Sequence, residues 1–182
     1  VMAPDYYELT MKMLSDRLCE RAHDLTKQFN TRLLTNDTQS IFQRAQYLLN
    51  QSKLTQTDGQ HYATASYCFG AGLQIQYLNH TNESLSDLAL KREEVFKDIN
   101  AYTIANPQSI VDLQTIMLVQ ERVDEARNHL HDAQNYIDAN RTYDAAYSIA
   151  YAMERFNSAQ SWSAFFGTGS TNYDMDVDIL RH

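Results

Sequence analysis

The sequence predicts an all-α protein, and three observations carry that expectation. Apolar residues recur at steps of three and four from Tyr6 to Phe166, the period of helices that bury one face. Only 5 Gly and 2 Pro occur among 182 residues, so few positions oppose a helix once it has begun. Sliding the chain by 81 positions sets Ala45 against Ala126, Leu49 against Leu130, Tyr62 against Tyr143, Ala65 against Ala146 and Ala71 against Ala152. The expected architecture is a six-helix bundle, or an array of helical hairpins, forming a single domain over residues 1–166. Residues 1–81 and 82–162 then read as two copies of a three-helix unit, and 167–182 as a flexible acidic tail. A chain of this length buries roughly 70% of the surface it exposes unfolded, enough for one shared core.

The first helix is expected from Asp5 to Phe29, with Pro4 and Asp5 suited to a first turn. Tyr6, Leu9, Met13, Leu14, Leu18, Ala22 and Leu25 form its inward face, with Met11 and Cys19 nearby. The cluster Thr35-Asn36-Asp37-Thr38 caps a second helix that runs to about Ser52 over Ile41, Phe42, Ala45, Leu48 and Leu49. Asp58-Gly59 is a turn signal, and a third helix follows from His61 to Leu78. Gly70 and Gly72 weaken that helix by about 1 kcal/mol each relative to Ala, a cost that close contact with a neighbouring helix would offset.

His80-Thr81-Asn82-Glu83 breaks the chain near its middle. A fourth helix from Ser84 to Ala105 must stop before Pro107, which disfavours helix in the residue ahead of it. The fifth spans Gln108 to Asp138, with Ile110, Leu113, Met117, Leu118, Val123, Ala126, Leu130 and Ala133 inward. After Asn140-Arg141-Thr142 the sixth carries Ala145, Ile149, Ala152, Phe156 and Ala159 as one stripe, beside a ridge of Tyr143, Tyr147 and Tyr151, and ends at Phe166-Gly167.

A net charge of −8 and a pI near 5.1 argue against nucleic acid as a partner, which calls for clustered Lys and Arg. No run approaches the 18 apolar residues of a membrane-spanning helix. No signal-peptide pattern opens the sequence. Val1, with a helix close behind it, is the start expected of a piece of a longer protein.

Five acceptor sequons, at Asn36, Asn50, Asn79, Asn82 and Asn140, fall at expected helix ends or loops, where roughly two would arise by chance. They point to a glycosylated, extracellular or cell-surface setting. Clustering of Asn, Ser and Thr in caps and turns is the competing explanation, and with it a cytoplasmic location stays open. Cys19 and Cys68 allow one disulfide, closing a loop of about 50 residues worth on the order of 4 kcal/mol in the chain-entropy model; two small buried hydrophobes are the alternative. Their spacing is not that of a zinc site.

Chemistry-bearing patterns are sparse. Asp174, Asp176 and Asp178 lack the Gly and bidentate Glu of a calcium loop. His129 and His131 face different directions on a helix and cannot be a ligand pair. Arg17 with His23 and Arg122 with His129 loosely follow the Arg and His signature of the all-helical HEPN nucleases. No framed nucleophile or phosphate-cradling loop is present, so no catalytic residue, metal or cofactor is assigned. The Tyr62 and Tyr143 helices open like the second helix of a tetratricopeptide hairpin, without the 34-residue repeat.

Asp5-Tyr-Tyr-Glu-Leu-Thr-Met-Lys, Leu18-Cys-Glu-Arg-Ala and Tyr62-Ala-Thr-Ala-Ser-Tyr-Cys-Phe-Gly-Ala together resemble the helical region following the protease domain in archaeal secreted or membrane-bound proteins related to Lon serine proteases. The resemblance implies a parent with a catalytic Ser and Lys dyad, to which nothing here corresponds. The expected function is that of a non-catalytic interaction or scaffold module serving a protein partner or a neighbouring domain of the same chain. An all-helical nuclease is the alternative.

Overall fold

The computed structural model describes residues 4–107 and 109–167, with side chains from Tyr7 onward. Among the described residues six α-helices make up the fold: α1 (Pro4–Gln28), α2 (Asn36–Thr57), α3 (His61–His80), α4 (Leu85–Ala101), α5 (Ile110–Asp138) and α6 (Thr142–Ser163). A single 3₁₀ turn at Thr31–Leu33 separates α1 from α2, and no strand occurs among the described residues. The expected acidic tail, with Asp174, Asp176 and Asp178, lies outside them.

Local chemistry sets the helix starts. Thr35 and Thr38 form a reciprocal capping box at α2, as do Ser84 and Asp87 at α4. Ser109 caps α5 by accepting from the Asp112 N–H at 3.1 Å. These bonds satisfy amide donors that the first turn leaves without intrahelical partners.

The two hairpin corners are built alike. Asp58 and Ala139 end α2 and α5 with nearly the same backbone angles. The next residues, Gly59 (φ +72°) and Asn140 (φ +57°), are left-handed, the conformation Gly adopts freely and Asn tolerates best among the others. The Gln60 and Arg141 amides then donate back to Thr55 and Tyr136 carbonyls, each at 2.8 Å. A shift of 81 carries the first residue of α1 onto that of α4, the last of α2 onto that of α5, and the first of α3 onto that of α6.

Within each half the first helix runs parallel to the third. Cys19 of α1 bonds to Cys68 of α3, and Leu25 and Phe29 pack with Ile75 and Leu78 farther along. In the second half Leu88 packs with Ala145 and Ile149, while Tyr102 meets Phe156 with ring centroids 5.4 Å apart. The halves join through α3 and α6, which lie antiparallel, Phe69 against Tyr151 and Tyr77 against Tyr147. Ala71 and Ala152 are both fully buried. Gly70 fits under Leu48, whose side chain would stand 3.3 Å from an added Cβ.

Several expectations need correction. α2 continues past Ser52 to Thr57, because Ser52, Thr55 and Thr57 turn their hydroxyls onto carbonyls three or four residues back instead of breaking the helix. α4 stops at Ala101 rather than Ala105: the extended chain beyond it packs Tyr102 and Ile104 against the main core. α1 is rotated from the expected face, with Met11 and Cys19 buried and Leu9 and Met13 exposed. α5 begins at Ile110, and its first three turns bury Asp112, Thr115 and Val119 while Ile110, Leu113 and Met117 face outward. Asp112 is held inside because its Oδ1 accepts the Gly167 N–H at 2.9 Å, tying the start of α5 to the end of α6.

Candidate functional site

Two polar centres interrupt the apolar interior where α1, α3, α5 and α6 meet. At the first, Glu154 of α6 is only 2% exposed. Its Oε1 accepts from Arg21 Nε and Nη2 at 3.1 and 3.0 Å, and the Gln76 side chain also bonds to it. Gly72 makes room, since a Cβ there would stand 2.8 Å from Glu154 Oε2. Burial pushes the Glu154 carboxyl above its ordinary range, against the opposing pull of Arg21 and Gln76. Desolvation of a carboxylate outweighs one partly exposed partner.

The second centre is a cleft of about 180 Å³ whose walls include Leu18, Tyr62, Phe69, Arg122, Arg155 and Trp162. Arg155 pairs with Glu125 Oε2 at 2.8 Å and donates from Nη2 to the Tyr151 hydroxyl at 3.0 Å. Its guanidinium lies 4.7 Å from the Phe69 ring centroid. Arg122 sits 5.4 Å from the Trp162 ring centroid and donates from Nη1 to the Leu118 carbonyl at 3.1 Å. Among the described residues its Nε has no hydrogen-bond partner, nor does Trp162 Nε1. Burial and the nearby Arg155 charge both lower the Arg122 pKa, while Glu121 and Glu125 act in the other direction.

No family model, curated protein or solved structure matches the chain. Function is therefore argued from its own side chains.

Cys19 and Cys68 form a disulfide, with Cα atoms 4.8 Å apart. It clasps α1 to α3 two residues from Arg21, so it also fixes the stretch of α1 that carries the partner of Glu154. Asn36, Asn50, Asn79, Asn82 and Asn140 are all exposed. Thr38, Ser52 and Thr81, the hydroxyl residues of three of those sequons, are buried and bonded to nearby backbone.

The structure separates Arg17 from His23: Arg17 lines a groove with Arg21 and Asn157, whereas His23 faces Lys53 and Asn50 on α2. Arg122 and His129 stand two turns apart on one face of α5, with Arg155 opposite both. His129 stacks on Tyr151 at 4.0 Å, and burial lowers its pKa. Among the described residues, no group of three or more His, Cys, Asp or Glu could hold a metal ion, and no helix is long and apolar enough to cross a membrane.

Sequence reasoning missed Glu154, Arg21 and Arg155. One signal was available. Glu154 interrupts a helix otherwise small and apolar on its inward side, and a Gly on α3 supplies the matching space.

Proposed function

We propose that this chain is a non-catalytic helical interaction module of a larger extracytoplasmic protein, binding a protein partner or a neighbouring domain of the same chain. One observation carries the reading. Ile110, Leu113 and Met117 form a row along the first turns of α5 and are 46, 45 and 72% exposed. Apolar side chains adjacent on one exposed helix face are what an interaction surface offers a partner. The disulfide and the five exposed sequon asparagines support the extracytoplasmic setting, since disulfides persist in oxidising compartments. The resemblance to the segment after a Lon-related protease domain would make that domain the neighbour.

The test expresses the chain alone and measures, by calorimetry, its binding to the separately produced neighbouring domain from the same reading frame. Binding that disappears in the Ile110→Glu, Leu113→Glu, Met117→Glu triple variant supports the reading; binding unaffected by that variant contradicts it. Secretion from a glycosylating host tests the compartment, with intact mass showing glycan on one or more of the five asparagines. An unmodified chain would remove that support.

A second reading, a HEPN-like nuclease, draws on Arg122 and His129 sharing one face of α5 beside Arg155. Hydrolysis of single-stranded RNA, lost in His129→Ala, would favour it. Absence of hydrolysis in the intact chain would reject it.

A further inference from the structure

We propose that the Arg122, Arg155 and Trp162 cleft binds an amphiphilic carboxylate, with its head at the two guanidiniums and its apolar body running past Tyr62 and Met11. This inference is independent of the docking role assigned to the α5 row.

The charges inside the cleft are unbalanced. Glu125 is committed to Arg155 at 2.8 Å, while among the described residues the carboxylate paired with Arg122 is Glu121 at 3.6 Å, itself largely exposed. A buried guanidinium Nε–H and a buried indole N–H, each without an acceptor, are costly to keep. Both are donors, and both belong to residues that line the same cleft. An acceptor-only group satisfies them, and a carboxylate matches the planar fork of Arg.

The walls decide the rest of the ligand. Trp162, Phe69 and Tyr62 present ring surface to the cleft. Met11 and Tyr62 are shared with an adjoining hollow of about 530 Å³, reached by Tyr7 and the Gly59–Ala63 corner. The head cleft, about 180 Å³, has room for roughly six groups of water size at ~30 Å³ each. An aliphatic body therefore extends into the hollow. A single negative charge suits the site better than phosphate, because Glu121 and Glu125 stand nearby and the whole chain carries −8. With the surrounding field unfavourable to anions, affinity comes from apolar burial, and the guanidiniums select the head.

Trp162 is the only tryptophan, so its fluorescence reports on the cleft directly. The intact chain is titrated with decanoate below its micelle concentration, and with decanol, acetate and inorganic phosphate; calorimetry repeats each titration. Decanoate is expected to give a saturable change, and decanol to bind at least about tenfold more weakly, the loss of a charge-assisted contact. Acetate and phosphate should not saturate in that range. Arg122→Gln should weaken decanoate by a similar factor. Tyr62→Ala, which alters an exposed ring and leaves the fold intact, should weaken decanoate severalfold. Equal binding of decanol, tighter binding of phosphate, or undiminished decanoate affinity in folded Arg122→Gln would overturn the proposal. Should Arg122→Gln not fold, an unchanged affinity in Tyr62→Ala would overturn it.

Discussion

The α2–α3 hairpin and the α5–α6 hairpin share a frame and differ in what it holds. Ala45 and Ala126, Ala65 and Ala146, and Ala71 and Ala152 are buried in both, and the corners repeat a left-handed residue at the matched position and the same backbone bonds. Under the shift of 81, Arg122 stands where the first half has Ile41, His129 where it has Leu48, Tyr151 where it has Gly70, and Glu154 where it has Leu73. Arg155 replaces Gln74 and Trp162 replaces Thr81. Small residues at matched positions thus set helix approach, and the polar centres occupy positions where the halves diverge. The outer helices differ too. α1 has 25 residues and α4 only 17, so the break before the hairpin falls about two turns earlier in the second half, in the segment containing Pro107.

The largest expected effect comes from a link present only in the first half. Cys19→Ser with Cys68→Ser opens a loop with a sequence separation of 49 and should cost about 4 kcal/mol, read as a lower urea midpoint. Under oxidising conditions, a midpoint equal to that of the intact protein would show that the clasp adds nothing.

Next is Arg21→Met, which leaves Glu154 buried without its cation. Removing one partner of a buried pair typically costs roughly 3–5 kcal/mol; because Arg21 is itself 32% exposed, about 3 kcal/mol is expected. Adding Glu154→Gln should restore most of it. If the double variant is no more stable than Arg21→Met, Arg21 acts through packing rather than charge.

Replacing Ala71 and Ala152 by Leu, one at a time, sharpens the comparison of the two frames. Overpacking should cost about 1–3 kcal/mol at each site, whereas Ala in place of Tyr62 or Tyr143, both exposed, should stay within about 0.5 kcal/mol. A large loss at only one of the two alanines would break the equivalence.

The smallest effect is a slope. Glu154 has a raised carboxyl pKa in the fold, so in the window above the unfolded value the native state binds more protons than the unfolded chain. That contribution is complete below the unfolded pKa and is lost as pH rises through the folded one. Glu154→Gln should therefore gain stability relative to the intact protein as pH rises from acid to neutral. A variant that loses stability relative to the intact protein over that range would reverse the assigned direction.

The helices were legible because their period, caps and corner residues are local: Thr35, Asp58-Gly59 and Asn140 announce their turns in the sequence. The inward face of α5 was not. Ile110, Leu113 and Met117 satisfy helical spacing, but the tie between Asp112 and Gly167 is a contact between segments 55 residues apart and rotates that face outward. Glu154 was missed for the same reason. Its partners come from α1 and α3, and only the assembled fold brings Arg21 and Gln76 to it. Cys19 and Cys68 were recognised as a candidate pair, but composition alone could not choose between a bond and two buried thiols.

The central claim, one three-helix frame used twice, is tested most directly by superposing residues 39–78 on 120–159 in a crystal structure of the chain. The account predicts the same helix order and crossing sense, left-handed backbone at both Gly59 and Asn140, and Ala71 and Ala152 at the same contact. Helices that overlay only in another order or crossing sense would contradict it.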